Sequence, residues 1–269
     1  MNLKLWQVDA FAAKPLEGNP AAIVPLAAWI ADDLMQKIAN ENNLAETAYF
    51  VRKDRSRYQL RWFTPESEVD LCGHATLASA WIIFRFLEPE QKRLTFATRS
   101  GDLVVERGAG DFHVMSLPSD PIDEFSAPGL ANEIGAALDA PPPALVLRGR
   151  HFVGVWNAAS DVRRLSGPGE IARVLRRHNL WGLIATAPGD EDFDFVSRFF
   201  APDKGVPEDP VTGSAHCALT PYWSNRLGKK TLKARQVSPR GGNLICTNAD
   251  GRTILSGPCS LYMTGEISI

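Results

Sequence analysis

Hydrophobic and polar residues alternate at two periods along this chain, and the switches between them predict its elements. Residues 3–11 and 21–25 carry the two-residue period of strands, on either side of a turn holding Gly18, Asn19 and Pro20. From 28 to 41 the period lengthens. Ile30, Leu34 and Ile38 form an i, i+4 stripe, and Asn42-Asn43 closes the predicted helix. Strands follow at 47–52 and 58–63. Residues 74–87 are apolar nearly all round, which predicts a helix buried on every side. Strands resume at 94–97, 102–106 and 112–117.

The stretch from Ser119 to Pro143 is rich in Pro, Ala and Asp and holds one short helix, Leu130 to Leu138. It reads as a crossing between two halves. Beyond it the pattern predicts strands at 144–148 and 152–156, a helix at 169–178, and strands at 181–186 and 193–200. A second helix is predicted at 215–227, kinked at Pro221. Strands at 232–238, 243–248, 252–256 and 260–269 complete the chain. Many strands with one buried helix per half predict an α+β fold of two similar lobes rather than alternating βαβ units.

The halves also echo each other residue by residue. Arg61-Trp62-Phe63-Thr64-Pro65 leads to Asp70-Leu71-Cys72-Gly73-His74-Ala75. Arg198-Phe199-Phe200-Ala201-Pro202 leads to Asp209-Pro210-Val211-Thr212-Gly213-Ser214-Ala215. Each copy is a strand feeding a glycine-led helix. Helix starts that face a shared cleft offer free N–H groups and a positive dipole end, a seat for an anion.

Charge and composition narrow the class. Formal net charge is −2 and hydrophobic residues make up 45% of 269, so a large core is expected and a general nucleic-acid surface is not. No stretch reads as a signal peptide, and no apolar run reaches the roughly 18 residues that span a bilayer. A cytoplasmic protein with no membrane partner is expected. The four cysteines, Cys72, Cys217, Cys246 and Cys259, are widely spaced, which argues against a disulfide framework.

The echo singles out candidate chemistry. His74 and Ser214 occupy matching places in the two helices. Serine there is an ordinary cap, whereas histidine is not. Gly73 and Gly213 let a ligand approach the backbone. Asp209 stands before Pro210 in extended chain. It is either a turn residue or a carboxylate that orients His74 or binds a polar substrate group. Glu46 opens an apolar strand, where a partly desolvated carboxylate accepts and returns a proton near neutral pH. Cys72 lies beside a helix N-terminus, which lowers a thiol pKa. The matching place in the second copy holds Thr212, so a symmetrical two-thiol mechanism does not fit. No zinc-ligand spacing is present, and no metal is expected.

Together these residues resemble the PhzF-like family, the phenazine-biosynthesis isomerase and its relatives, which shares its fold with diaminopimelate epimerase. The resemblance covers essentially the whole chain. It runs through Val8-Asp9-Ala10-Phe11, Gly18-Asn19-Pro20-Ala21, Glu46-Thr47-Ala48, Cys72-Gly73-His74-Ala75-Thr76 and Asp209-Pro210-Val211-Thr212-Gly213-Ser214-Ala215-His216. It implies two lobes, each a mostly antiparallel sheet around a central helix, with the active site in the cleft between them. The N-terminal lobe is then 1–118 joined by the last strand, 259–269, and the C-terminal lobe is 119–258. It implies a cofactor-independent isomerase of a small carboxylic acid, and a homodimer. Glu46 is the implied acid/base. His74, Asp209 and Ser214 are implied substrate contacts, with Gly73, Gly213 and Asn19 lining the cleft. Two rivals remain: a thiol-dependent epimerase or racemase using Cys72, and a ligand-binding protein without turnover.

Overall fold

The N-terminal alternation folds as expected. In β1 (Asn2–Ala10) Leu3 and Leu5 are buried on one face and Val8 on the other, and β2 (Asn19–Leu26) returns beside it antiparallel, with Val8 opposite Ala21. The turn between them depends on Gly18. Its φ is +66°, and a Cβ there would stand 2.2 Å from the carbonyl oxygen of Ala10. Only glycine fits. The computed structural model describes residues 1–190, 192–204 and 206–269.

Helix α1 (Asp32–Asn42) starts later than the periodicity predicts. Asp32 and Asp33 occupy its first turn, where the helix dipole favours negative charge, while Trp29 and Ile30 pack beside the core from outside the helix. Asn43 ends it in the left-handed conformation, with its N–H on the carbonyl of Ala39. Then come β3 (Glu46–Asp54), β4 (Arg57–Phe63), the short β5 (Glu68–Val69) and α2 (Gly73–Ile82). Every residue of α2 after Gly73 is buried, which is why its apolar residues run all round. A π turn at Ile83–Leu87 continues it. Next are β6 (Arg93–Thr98), β7 (Gly101–Arg107) and β8 (Phe112–Pro118).

The second half holds β9 (Asp123–Glu124), α3 (Leu130–Ala137), β10 (Leu145–Arg148), β11 (Phe152–Val155), α4 (Ala159–Arg164), α5 (Ile171–Arg177), β12 (Leu183–Pro188) and β13 (Phe195–Ala201). It continues through a 3-10 turn at Pro202–Lys204, β14 (Val206–Asp209), α6 (Gly213–Leu227), β15 (Thr231–Gln236), β16 (Gly242–Ala249) and β17 (Arg252–Ser268). Two expectations change here. Helix α4 carries no long apolar period and was not foreseen. The last two predicted strands are one, β17, which pairs with β1 from Asn2 opposite Ser268 to Ala10 opposite Cys259. A bulge at Tyr262 absorbs one extra residue.

The chain divides into two compact units, Met1–Leu117 with Leu255–Ile269, and Pro118–Ile254. In the first, β1 is antiparallel to β17 and β2, β2 is parallel to β3, β3 antiparallel to β4, and β4 parallel to β6. Antiparallel β6–β7 and β7–β8 follow, and β8 pairs with β17. The ring so formed surrounds α2, which packs on β1, β2, β3 and β7. The second unit repeats the plan. β10 is antiparallel to β11, β11 parallel to β12, β12 antiparallel to β13, β13 parallel to β15, and β15 antiparallel to β16. Helix α6 takes the place of α2 between the short strand and the next long one. The architecture is mixed α+β, with a sheet wrapped around few helices.

Pro221 lies inside α6 and has no N–H for the Cys217 carbonyl one turn back. That carbonyl finds other donors: the N–H of Asp120 at 3.1 Å and the hydroxyl of Thr253 at 3.4 Å. The helix continues because its orphaned acceptor is satisfied from outside.

Candidate active site

Strand register brings the first site together. β2 and β3 run parallel with Ala21 opposite Glu46, so Asn19 and Glu46 start their strands at the same end of the sheet. The N-terminus of α2 arrives there too, carrying Cys72, Gly73 and His74. His74 Nε2 lies 3.0 Å from Glu46 Oε2. On the other side of the ring, Nδ1 lies 3.2 Å from Asn19 Nδ2 and 3.5 Å from Cys72 Sγ. An amide nitrogen only donates. In this arrangement Nδ1 therefore accepts from Asn19 and Nε2–H faces Glu46. In the imidazolium both nitrogens donate, and the Asn19 amide turned over offers Oδ1 instead.

Electrostatics favour the imidazolium. Burial works against a charge on His74, but the Glu46 carboxylate at Nε2, with the Cys72 sulfur as a hydrogen-bond partner at Nδ1, outweighs it and holds its pKa above the ordinary histidine value. Folded His74 thus binds a proton more tightly than it does in the unfolded chain. The stability this adds is fully present below the unfolded pKa of ~6.5 and is lost as pH rises through the raised folded value. The urea midpoint of wild type is therefore expected to fall from pH 6.5 to 9 relative to a His74→Gln variant. A gap that stays constant across that range removes the imidazolium from the site.

Cys72 corrects its expectation. It caps α2 in extended conformation, yet its thiol pKa is pushed up to about 11, first by burial and then by the Glu46 charge, against smaller opposing contributions from His74 and the Ala75 N–H. Proximity to a helix start does not activate a thiol that water cannot reach. Iodoacetamide at pH 7.5 is expected to leave Cys72 unmodified in the native protein and to label it after unfolding, as read by peptide mass spectrometry. Rapid native labelling would restore the thiol to the chemistry. Cys217, buried in α6, is likewise raised to about 12 by burial, then by Asp120. Ligand atoms of Glu46, Cys72 and His74 lie within 4.8 Å of one another, a spacing that a small metal ion also accepts.

The other predicted residues form a second group, in the second unit. Asp209 ends β14, and Gly213 and Ser214 start α6. Thr212 caps that helix in extended conformation, donates its hydroxyl to Asp209 Oδ2, and its N–H meets Gln236 Oε1 at 2.9 Å. Gln236 Nε2 in turn donates to the Asp209 carbonyl at 2.7 Å. Gln236 was not foreseen. It lies in β15, outside both copies of the echo, and nothing in its sequence surroundings marks it. His216 is inert: burial pushes its pKa down to about 4, and Nδ1 meets the Thr212 carbonyl at 2.8 Å.

A third feature also went unread. Arg61 Nε and Nη2 grip Glu68 at 2.7 and 2.8 Å. Arg198 Nε and Nη2 grip Glu208 at 2.6 and 2.7 Å. Each echo thus closes with the same two-pronged pair, tying a long strand to the short strand that delivers the helix.

Comparison with known proteins decides the lineage. A family model described as "phenazine biosynthesis-like protein" matches residues 8–265. The chain belongs to the phenazine biosynthesis-like family. It is 46% identical, over the full length of both chains, to an uncharacterized isomerase of Pseudomonas aeruginosa. It is 39% identical to the human phenazine biosynthesis-like domain-containing protein, again over the full length of both. A solved PhzF-family structure from Enterococcus faecalis superposes with a TM-score of 0.92 at 40% identity and full coverage of both. A hydroxyproline epimerase from Agrobacterium vitis shares the fold alone, with a TM-score of 0.59 at 12% identity over 99% of this chain and 92% of that one. The family therefore includes proteins named as isomerases, on an epimerase-like fold. No helix among the described residues is long and apolar enough to cross a membrane.

Proposed function

We propose that this protein is a cofactor-independent isomerase that moves a proton between two carbons of a small carboxylic acid. The observation that carries the reading is the Glu46–His74 pair at the mouth of α2. Glu46 keeps 17% of its side chain exposed, enough for a substrate to reach, while its partner is buried. Glu46 removes the proton from one carbon and returns it to another. His74, as imidazolium, stabilises the negative charge that builds on the substrate in between. The first N–H groups of α2 have no carbonyl one turn earlier and hold the substrate carboxylate with Gly73. Asn19 fixes the His74 ring.

A metal ion on Glu46, Cys72 and His74 would immobilise the carboxylate that the reaction needs free. The proton-transfer reading uses the same residues without that demand. Its test is solvent-deuterium uptake by a panel of small amino, hydroxy and dihydroaromatic acids in D2O, read by mass spectrometry. Mass gain that depends on the enzyme identifies the substrate class. If label enters no acid of the panel while a panel acid is nonetheless isomerised, a shuttle that exchanges with solvent is ruled out.

A further inference from the structure

One buried carboxylate of the first unit has no part in the reaction above. Asp9, in β1, is 1% exposed, and its Oδ2 accepts the N–H of Leu16 at 2.8 Å. A carboxylate is costly to bury unless it accepts hydrogen bonds, so what this one holds matters.

It holds a bent turn. Between β1 and β2 the chain passes through three left-handed residues: Phe11 at φ +58°, Leu16 at +75° and Gly18 at +66°. Glycine takes that conformation freely, whereas phenylalanine and leucine do not. Phe11 is buried, and the next N–H, of Ala12, donates to the Pro258 carbonyl at 3.1 Å. Leu16 is 64% exposed, so packing does not account for its backbone. The Asp9 carboxylate does.

The turn leads straight to Asn19. The β1–β2 ladder ends with Asp9 opposite Pro20 and Ala10 opposite Asn19, and Pro20 has no N–H to give to a neighbouring strand. The ladder with β3 begins only at Ala21, so at Asn19 that sheet holds the chain on one side. Asn19 is buried, with Nδ2 3.2 Å from His74 Nδ1, while the other ring nitrogen lies 3.0 Å from Glu46.

We propose that Asp9 is a positioning residue of the Glu46–His74 site: its carboxylate holds the Leu16 N–H, and with it the left-handed turn that presents the Asn19 amide to the His74 ring. An imidazole gripped at Nδ1 keeps Nε2 toward Glu46, and one that is released turns about its Cβ–Cγ bond and loses that facing. The inference deepens the proposed function by naming what sets the direction of the ring. It rests on that reading only for the effect on turnover.

Two alanine variants and their combination test it. Asp9→Ala is expected to lower kcat for deuterium uptake by about 10–100-fold with KM within about twofold, the signature of a misaimed reacting group. It should move the ¹⁵N resonances of the His74 ring as Asn19→Ala does. In the Asn19→Ala background, Asp9→Ala should lower kcat no further, because the two residues act as one chain of contacts. Losses that multiply, or His74 resonances unmoved in Asp9→Ala, would overturn the proposal. Wild type supplies a check that needs no variant to fold. The Leu16 amide should exchange with solvent about a hundredfold more slowly than those of exposed Ala13 and Lys14, and equal rates would remove the anchor. Glu46→Gln is expected to keep the Leu16 protection while losing substrate labelling, so failure of the proton-transfer reading is separable from failure of this one.

Discussion

Glu46→Gln is expected to lower enzyme-dependent deuterium exchange by about 10²–10⁴-fold, the usual worth of a positioned acid/base. Glutamine keeps the shape of the side chain and removes its ability to take a proton. Glu46 begins β3 at the sheet end, partly exposed, so the change leaves the core of the first unit intact. The loss should fall on kcat, because the N–H groups of α2 proposed to hold the substrate carboxylate are untouched. The variant also removes the carboxylate that helps hold His74 charged, so the His74 pKa should drop in the same protein. Imidazole resonances followed against pH would show that drop. Exchange that persists within tenfold of wild type in Glu46→Gln would sink the assignment, whatever the His74 titration does.

What the sequence made legible follows from where each signal lies. The two units could be read because their echo is local: an arginine-aromatic-Phe strand, a proline, a glycine and a buried helix lie within one short segment. The Glu46–His74 meeting could be expected only through resemblance, because it depends on β2 and β3 being parallel. The arginine grips were missed because spacing from the proline differs between copies. Counted back from Gly73 and Gly213, Glu68 and Glu208 stand at the same distance, and the pairing becomes visible. The same count sets Asp209 against Val69 rather than Asp70. Asp70 is an exposed residue facing Arg99, which explains why the echo of two aspartates carries no shared role. Cys72 shows the opposite error: the helix start was read correctly, but its burial was not, and burial decides the thiol.

The grip on Glu208 yields the largest expected effect on stability. Arg198→Met should destabilise the protein by about 3–5 kcal/mol, the cost of leaving a buried charge without its partner. Arg198 is 8% exposed and Glu208 13%, and both prongs of the guanidinium are engaged. Arg198 Nη1 also donates to the carbonyls of Leu165 at 2.6 Å and Val162 at 3.3 Å, at the end of α4. Methionine keeps an apolar stem but removes the guanidinium from over the Phe200 ring, 4.9 Å from its centre, and strands a carboxylate and the end of a helix together. Arg61→Met in the first unit should cost less, because Arg61 is more open to water and its second partner, Asp32, is an exposed carboxylate. Urea unfolding of the two variants tests the order. The double variant Arg198→Met/Glu208→Leu should recover much of the loss, since no buried charge is then left behind. If the double variant is no more stable than Arg198→Met alone, the cost lies in the two α4 carbonyls and not in the ion pair.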